Sequence, residues 1–244
     1  MSDFFSTFLD ELPQIRAGLW VTLEATVLGS LLALLLSFVL GLAAGSTLLP
    51  VRGVSRIVVE FFRGTSLYIQ LFWLYYAMPQ LTGYELTPLL CGIVAFGLNY
   101  GAYGSEIVRG AINAVPRAQY EAAVALNMSP LHRMRKVILP QAWVQMIPSF
   151  TNLLIQLLKC TPLLWLISAA DLMTVIQQIR DRTGETLTAY LTLLAVYFVL
   201  AYALTLLMNL LERSAKRRLG LHPGAGSLLR TRSAEPATTV GGTR

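Results

Sequence analysis

Five long stretches of this chain are almost free of charge, and no other feature limits its fold so tightly. Ala25 to Val51, Gly64 to Tyr84, Leu86 to Ser105, Val137 to Ala170 and Thr186 to Leu211 together hold one Asp, Glu, Lys or Arg, namely Lys159. About 20 apolar residues in an α-helix cross the hydrocarbon of a bilayer. Backbone in lipid must satisfy its own hydrogen bonds, so such runs become helices. The pattern predicts an all-α integral membrane protein with five transmembrane helices. Composition agrees: 13% of the 244 residues are charged, about half the share in a soluble domain.

The charges that remain give the orientation. Lys and Arg number three in residues 52–63, five in 106–136 and seven in 212–244. The alternate intervals 1–24, 79–85 and 171–185 hold one, none and two. Surplus Lys and Arg mark cytoplasmic loops. The N-terminus is therefore expected outside and the C-terminus inside, which an odd number of spans requires. The net charge of +6 is explained by these loops and does not call for nucleic acid. Cys91 and Cys160 each sit in an apolar run and suggest neither a disulfide framework nor a metal cluster. The N-terminus carries Asp3, Asp10 and Glu11 and no basic region, so no cleaved signal peptide is expected.

Three segments follow from this reading. Residues 1–17 mix Phe4, Phe5, Phe8 and Leu9 with acids, as an external amphipathic segment does. Residues 18–213 form the membrane domain. Residues 214–244 form a basic cytoplasmic tail whose composition points to disorder. Within the first run Ser37, Gly41 and Gly45 recur every four residues and predict a close-packing helix face.

The most informative cytoplasmic loop lies within residues 109–140. A helix-forming run, Ala118 to Leu126, breaks at Asn127-Met128-Ser129-Pro130, and a basic helical run follows. Ser129 is suited to cap the second helix, with Pro130 at its first position. This stretch resembles the cytoplasmic signature loop of ATP-binding-cassette importer permeases. Glu121, Ala122 and Ala123 match its Glu-Ala-Ala. Asn127 stands where the family usually has Gly, and Leu139-Pro140 match its closing Leu-Pro. Asn is the residue after Gly best suited to a left-handed turn. Two further stretches are similar to polar amino acid permeases: Glu60-Phe61-Phe62-Arg63-Gly64-Thr65, with Ser66 for Pro, and Asn99 to Gly110. The resemblance covers most of residues 18–213.

The resemblance implies a permease subunit of an ATP-driven, binding-protein-dependent importer in the bacterial inner membrane. Its solute would be a polar amino acid or an amino-acid-like compatible solute, with an ectoine-type solute as one candidate. It implies an ATPase dimer docked on the signature loop, an extracytoplasmic solute-binding protein and a second permease. The departures at Asn127 and Cys160 favour a homologue over a second copy for that permease. No cofactor is expected on this chain. Its lysines are Lys136, Lys159 and Lys216 and none follows Gly, so it lacks a phosphate-binding loop and ATP must be hydrolysed by a partner. The basic run Arg133, Arg135 and Lys136 also suits anionic lipid.

Lys159 is the candidate for solute contact, because an ionisable group inside a span is costly and usually functional. Its depth depends on where the helix enters the membrane. Pro140 and Pro148 suggest an early break, which would put Lys159 near mid-span. Leu158 to Leu163 resembles the family's Leu-Lys-Asp/Asn-Thr-Ser-Leu, which implies a site for the solute's polar groups. The expected pathway residues are Lys159, Cys160, Thr161, Gln156, Asn152, Asn99 and Tyr103. Interhelical hydrogen bonding is the competing role for each polar residue. A self-contained ion-coupled carrier or channel is the alternative function, but it predicts internal repeats and intramembrane acids. No enzyme is indicated: His132 and His222 lie outside the spans, and no hydrolase motif occurs.

Overall fold

A computed structural model describes residues 7–218, with side-chain surroundings through residue 212. Residues 1–6 and 219–244, which hold most of the expected tail and part of the external segment, lie outside the described residues. Every regular element among the described residues is helical. We number them α1 (Leu12–Ala44), α2 (Leu49–Gly64), α3 (Leu67–Thr82), α4 (Pro88–Asn113), α5 (Arg117–Ala125), α6 (Pro130–Ile167), α7 (Leu172–Thr183) and α8 (Thr186–Arg218).

The centre of the fold is the seam between α1 and α4. The buried side of α1 runs through Gly18, Thr22, Thr26, Gly29, Ala33, Ser37 and Gly41. Steps of three or four residues keep these positions on one face. The facing side of α4 carries Gly97, Gly101 and Gly104, which lie against Leu32, Leu36 and Ser37 of α1. Small residues allow two backbones in a membrane to approach closely. A Cβ at Gly41 would lie 2.8 Å from the Ser105 carbonyl oxygen, and one at Gly104 would lie 1.9 Å from Ser37 Oγ. Ser37 Oγ donates to Ala33 O at 2.6 Å and reaches Gly101 O at 3.3 Å. The expected stripe therefore exists, but it runs from Gly18 to Ala44, and Gly45 stands exposed beyond the helix end.

The helix inventory departs from the expected five straight spans. Three helices qualify as spans by length and composition: α1, α6 and the stretch Thr186–Glu212 of α8. A fourth qualifies only if α2 and α3, bent by 101°, count together. The break falls at Thr65-Ser66. The freed Phe62 carbonyl accepts from two side-chain amides, Gln70 Nε2 and Asn99 Nδ2, each at 3.0 Å, and Gln70 Nε2 also donates to the Thr65 hydroxyl at 2.7 Å. α4 does not qualify alone because it is interior. Glycines, Asn99 and three tyrosine-type or hydroxyl positions replace the aliphatic residues that a lipid-facing helix carries.

Proline does not break α6 as the sequence suggested. The helix is continuous for 38 residues from Pro130 to Ile167, with Pro148 inside it. Pro140 is accommodated by a wider turn at Met134–Ile138, where Leu139 N bonds to Met134 O. The turn at Trp73–Ala77, before Pro79, does the same through Met78 N and Trp73 O. A proline lacks an N–H and its ring crowds the carbonyl four residues back, and a π-type turn relieves both problems.

Candidate functional site

Two surfaces stand out, one at each end of α6. The first is the loop containing α5. Its helix ends in a left-handed residue: Asn127 has φ +52°. Met128 N bonds to Ala123 O at 3.0 Å and Asn127 N to Val124 O at 2.8 Å. That pair of bonds is a Schellman closure, which needs a left-handed residue where Asn127 stands. Ser129 Oγ then accepts from His132 N, with Pro130 in the first turn of α6. The sequence expectation for this turn and cap holds in detail.

α5 exposes a face that no described residue covers. Glu121 and Ala122 are exposed, whereas Ala123 is buried against the protein. Val124 is 55% exposed, Leu126 72% and Leu131 78%. Apolar residues grouped around one acid on a short surface helix suit protein contact better than solvent. The α5 anchor is firm: Tyr120 packs into the cluster of Val108, Ala111, Ile138 and Met146, and the Arg133 guanidinium lies over its ring. Leu139 is half-buried and Pro140 is exposed at the base of α6. The three apolar residues were not singled out from the sequence. Their position one to four residues either side of Asn127 was the available signal.

The second surface is a polar face on α6. Asn152, Gln156 and Lys159 are all exposed in the isolated chain. Gln141 and Gln145, also exposed, extend the same stripe toward the loop. The spacing from Gln141 through Gln145, Pro148, Asn152 and Gln156 to Lys159 is four, three, four, four and three, which is one side of an α-helix. The two glutamines were missed, although that period would have found them. Gln141 Nε2 donates to Gln119 Oε1 on α5 at 3.2 Å, so the polar stripe starts at the loop surface. The opposite side of α6 holds the buried Ala142, Met146, Leu157, Leu158 and Leu164. Leu157 packs near Gly29 of α1, a few residues inside the start of that helix's charge-free run. Lys159 therefore lies level with the N-terminal part of that run.

The remaining expected pathway residues point elsewhere. Thr161 is fully buried, donates to Leu158 O at 2.8 Å and meets Tyr197 OH at 3.2 Å. Cys160 is half-buried and packs against the apolar cluster that contains Tyr100, Leu157 and Leu164. Asn99 is buried and spends its amide on the elbow. Tyr103 donates to Arg63 O at 3.3 Å under the Arg63 guanidinium. Lys159, Gln156 and Asn152 are brought together, and the other four brace the helices around them. No cluster of His, Cys, Asp or Glu among the described residues is arranged to hold a metal ion.

Comparison with known proteins identifies the architecture. Residues 20–217 match the family described as the binding-protein-dependent transport system inner membrane component. A probable amino-acid ABC transporter permease of Sinorhizobium fredii is 43% identical over 86% of this chain and 91% of its own length. The arginine transport system permease of Bacillus subtilis is 35% identical over 87% of this chain and 97% of its length. The L-cystine transport system permease of the same species is 34% identical over 84% and 88%. Among solved structures, an amino acid ABC transporter determined with histidines superposes with a TM-score of 0.80 at 32% identity, over 86% of this chain and 98% of that one. A methionine ABC transporter in an inward-facing form shares the fold, with a TM-score of 0.70 at 19% identity, over 84% and 98%. These names point to amino acids and lend nothing to an ectoine-type solute or to a self-contained carrier. The chain belongs to the family of binding-protein-dependent inner membrane transport components and is the permease component of an ABC amino acid importer, a transporter and not an enzyme.

Proposed function

We propose that this subunit lines half of the solute path with the polar face of α6 and takes its drive from an ATPase dimer seated on α5. The observation that carries this reading is the stripe from Gln141 to Lys159. A charged and amide-bearing face is not stable against lipid tails, and no element among the described residues covers it. It therefore meets water, solute or a second permease. The stripe begins at Gln141, bonded to α5, so a push on the loop reaches the path through one continuous helix. Glu121, Ala122, Val124 and Leu126 form the contact surface, Ala123 and Asn127 shape it, and Leu139 and Pro140 join it to α6.

The membrane arrangement in this reading has five spans: α1, α3, α4, α6 and α8. α2 is amphipathic and lies along the inner surface, with Arg52 and Arg56 toward headgroups and Ser55 and Val59 buried against the protein. The N-terminus is outside and the C-terminus is in the cytoplasm of a bacterial inner membrane. Reporter fusions after Ser46, Tyr84, Val115, Asp171 and Arg213 are expected to alternate in, out, in, out, in. An external signal at Arg213 rules this topology out.

A solute-binding protein delivers the amino acid from outside, and a second permease supplies the other half of the path. We assign that role to a homologue. Asn127 no longer argues for it, because Asn takes the left-handed turn without difficulty. Cys160 does, because a symmetric pair would repeat this departure in both halves. Co-expression with the ATPase alone tests the assignment. Full uptake by a complex containing no second permease refutes the homologue.

A further inference from the structure

The charges along α6 constrain the solute more closely than the family does. α6 contains no Asp or Glu from Pro130 to Ile167, and Lys159 is the one charge in its outer half. The acids of the neighbouring helices are engaged or turned away. Glu106 is paired with Arg109 at 2.5 Å and Glu60 lies 3.7 Å from Arg63. Asp171 is fully buried; its Oδ1 accepts from Thr174 N and Oγ1, and its Oδ2 accepts from Met173 N. Glu24 lies on α1 between Trp20 and Leu28, one turn away on either side and both exposed. That face is opposite the one α1 packs against α4 and α6. Cys160, beside Lys159, stands where the resembling motif has Asp or Asn and brings no carboxylate.

We infer that the solute accepted at the α6 face is an amino acid with a neutral, hydrogen-bonding side chain, and that amino acids with cationic side chains are refused there. The inference rests on the reading of this face as the solute path. An amino acid's carboxylate pairs with the Lys159 ammonium through a charge-assisted hydrogen bond. Its ammonium donates to the amide oxygens of Asn152 and Gln156, which also serve a side-chain amide or hydroxyl as both donor and acceptor. A second positive charge finds no carboxylate among the described residues of this face. It must sit within a few ångströms of Lys159 in a site only partly open to water, where like charges repel strongly. An anionic side chain is also disfavoured, since Lys159 is already engaged by the main carboxylate.

Binding to the intact transporter, without its solute-binding protein, reads the permease's own selectivity. The complex of this chain with its ATPase and second permease is reconstituted in nanodiscs and challenged with radiolabelled glutamine. Unlabelled glutamine is expected to displace the label, while arginine at about 100-fold excess displaces little of it. Lys159→Met is expected to weaken glutamine binding at least about 10-fold, with Lys159→Arg close to wild type. Cys160→Asp is expected to admit arginine as a competitor. If arginine competes as well as glutamine on the wild type while Lys159→Met still weakens binding, the charge class is wrong and the path reading stands. If Lys159→Met assembles and binds glutamine normally, the path reading fails and the inference with it. Absence of glutamine binding up to about 10 mM also overturns the inference, since a weaker interaction is not a site. Should Lys159→Met fail to assemble, the wild-type competition decides alone.

Discussion

The α1–α4 seam and the α6 stripe are both unusual for membrane helices, and in opposite ways. The seam has removed side chains until the backbones nearly touch: a Cβ at Gly104 has no room beside Ser37. The stripe has kept long polar side chains and left them uncovered. The seam is finished within one chain, whereas no described residue covers the stripe. On the function proposed above, that difference separates the two tasks of a half-transporter: one surface holds the subunit together while the other meets solute, partner and water. It also says where substitutions will act: on folding at the seam, on transport at the stripe.

The largest effect is expected at the seam. Gly104→Val drives a branched side chain into Ser37 and the Phe150 ring, an overpacking that typically costs about 1–3 kcal/mol and more where backbone cannot move. Folded protein, measured by detergent size-exclusion of a fluorescent fusion, is expected to fall at least about 5-fold. Gly104→Ala should fall less, and adding Ser37→Gly should restore it, because the nearest clash is with Ser37 itself. Normal folding of Gly104→Val breaks the comparison at its closed end.

Next comes the docking surface, an open surface like the stripe. Glu121→Lys and Leu126→Asp leave the buried Ala123 and Tyr120 anchor untouched, so folding should persist. Both place a badly matched charge in the contact, and ATP-driven uptake is expected to be lost together with co-purification of the ATPase. Ala123→Asp is a poorer probe of docking than either. Ala123 is 3% exposed, and a charge there would damage the fold itself.

The third effect is transport without folding. Lys159→Met keeps the volume and removes an expensive charge, so folded yield should hold or rise while uptake falls about 10-fold. Gln145→Leu should act in the same direction and less strongly. A rise in yield with unchanged uptake for both variants would mean that the stripe faces lipid headgroups and that Lys159 snorkels.

The sequence made the two ends of this comparison unequally legible. Charge-free runs announced membrane helices because exclusion of charge is a property of the whole run, insensitive to where each helix bends. The turn at Asn127 and the cap at Ser129 were legible because one residue decides each. The elbow was not: Thr65-Ser66 contains no proline, and its stability comes from Gln70 and Asn99, the latter distant in sequence. Asn99 accordingly read as a path residue when its amide is spent on backbone. Pro140 and Pro148 read as breaks because a local rule was applied without the neighbouring turn that absorbs the first of them. α4 was legible by the same exclusion of charge, even though its interior glycines, Asn99 and tyrosines lower its hydropathy.

The smallest effect is expected where the open docking helix meets the closed backbone of α6. Asn127 sits at φ +52°, a region that costs an ordinary residue roughly 1–2 kcal/mol, Asn less, and Gly almost nothing. Asn127→Gly should therefore change stability by no more than about 1 kcal/mol, with uptake unchanged. Asn127→Val should cost more in melting temperature, because a branched residue resists the left-handed region. If Asn127→Gly instead raises ATP-driven uptake several-fold, the turn itself limits transmission from α5 to α6. The departure from the family's glycine would then be a functional setting of this subunit, and the case for an unlike second permease would regain the support that the turn geometry removed.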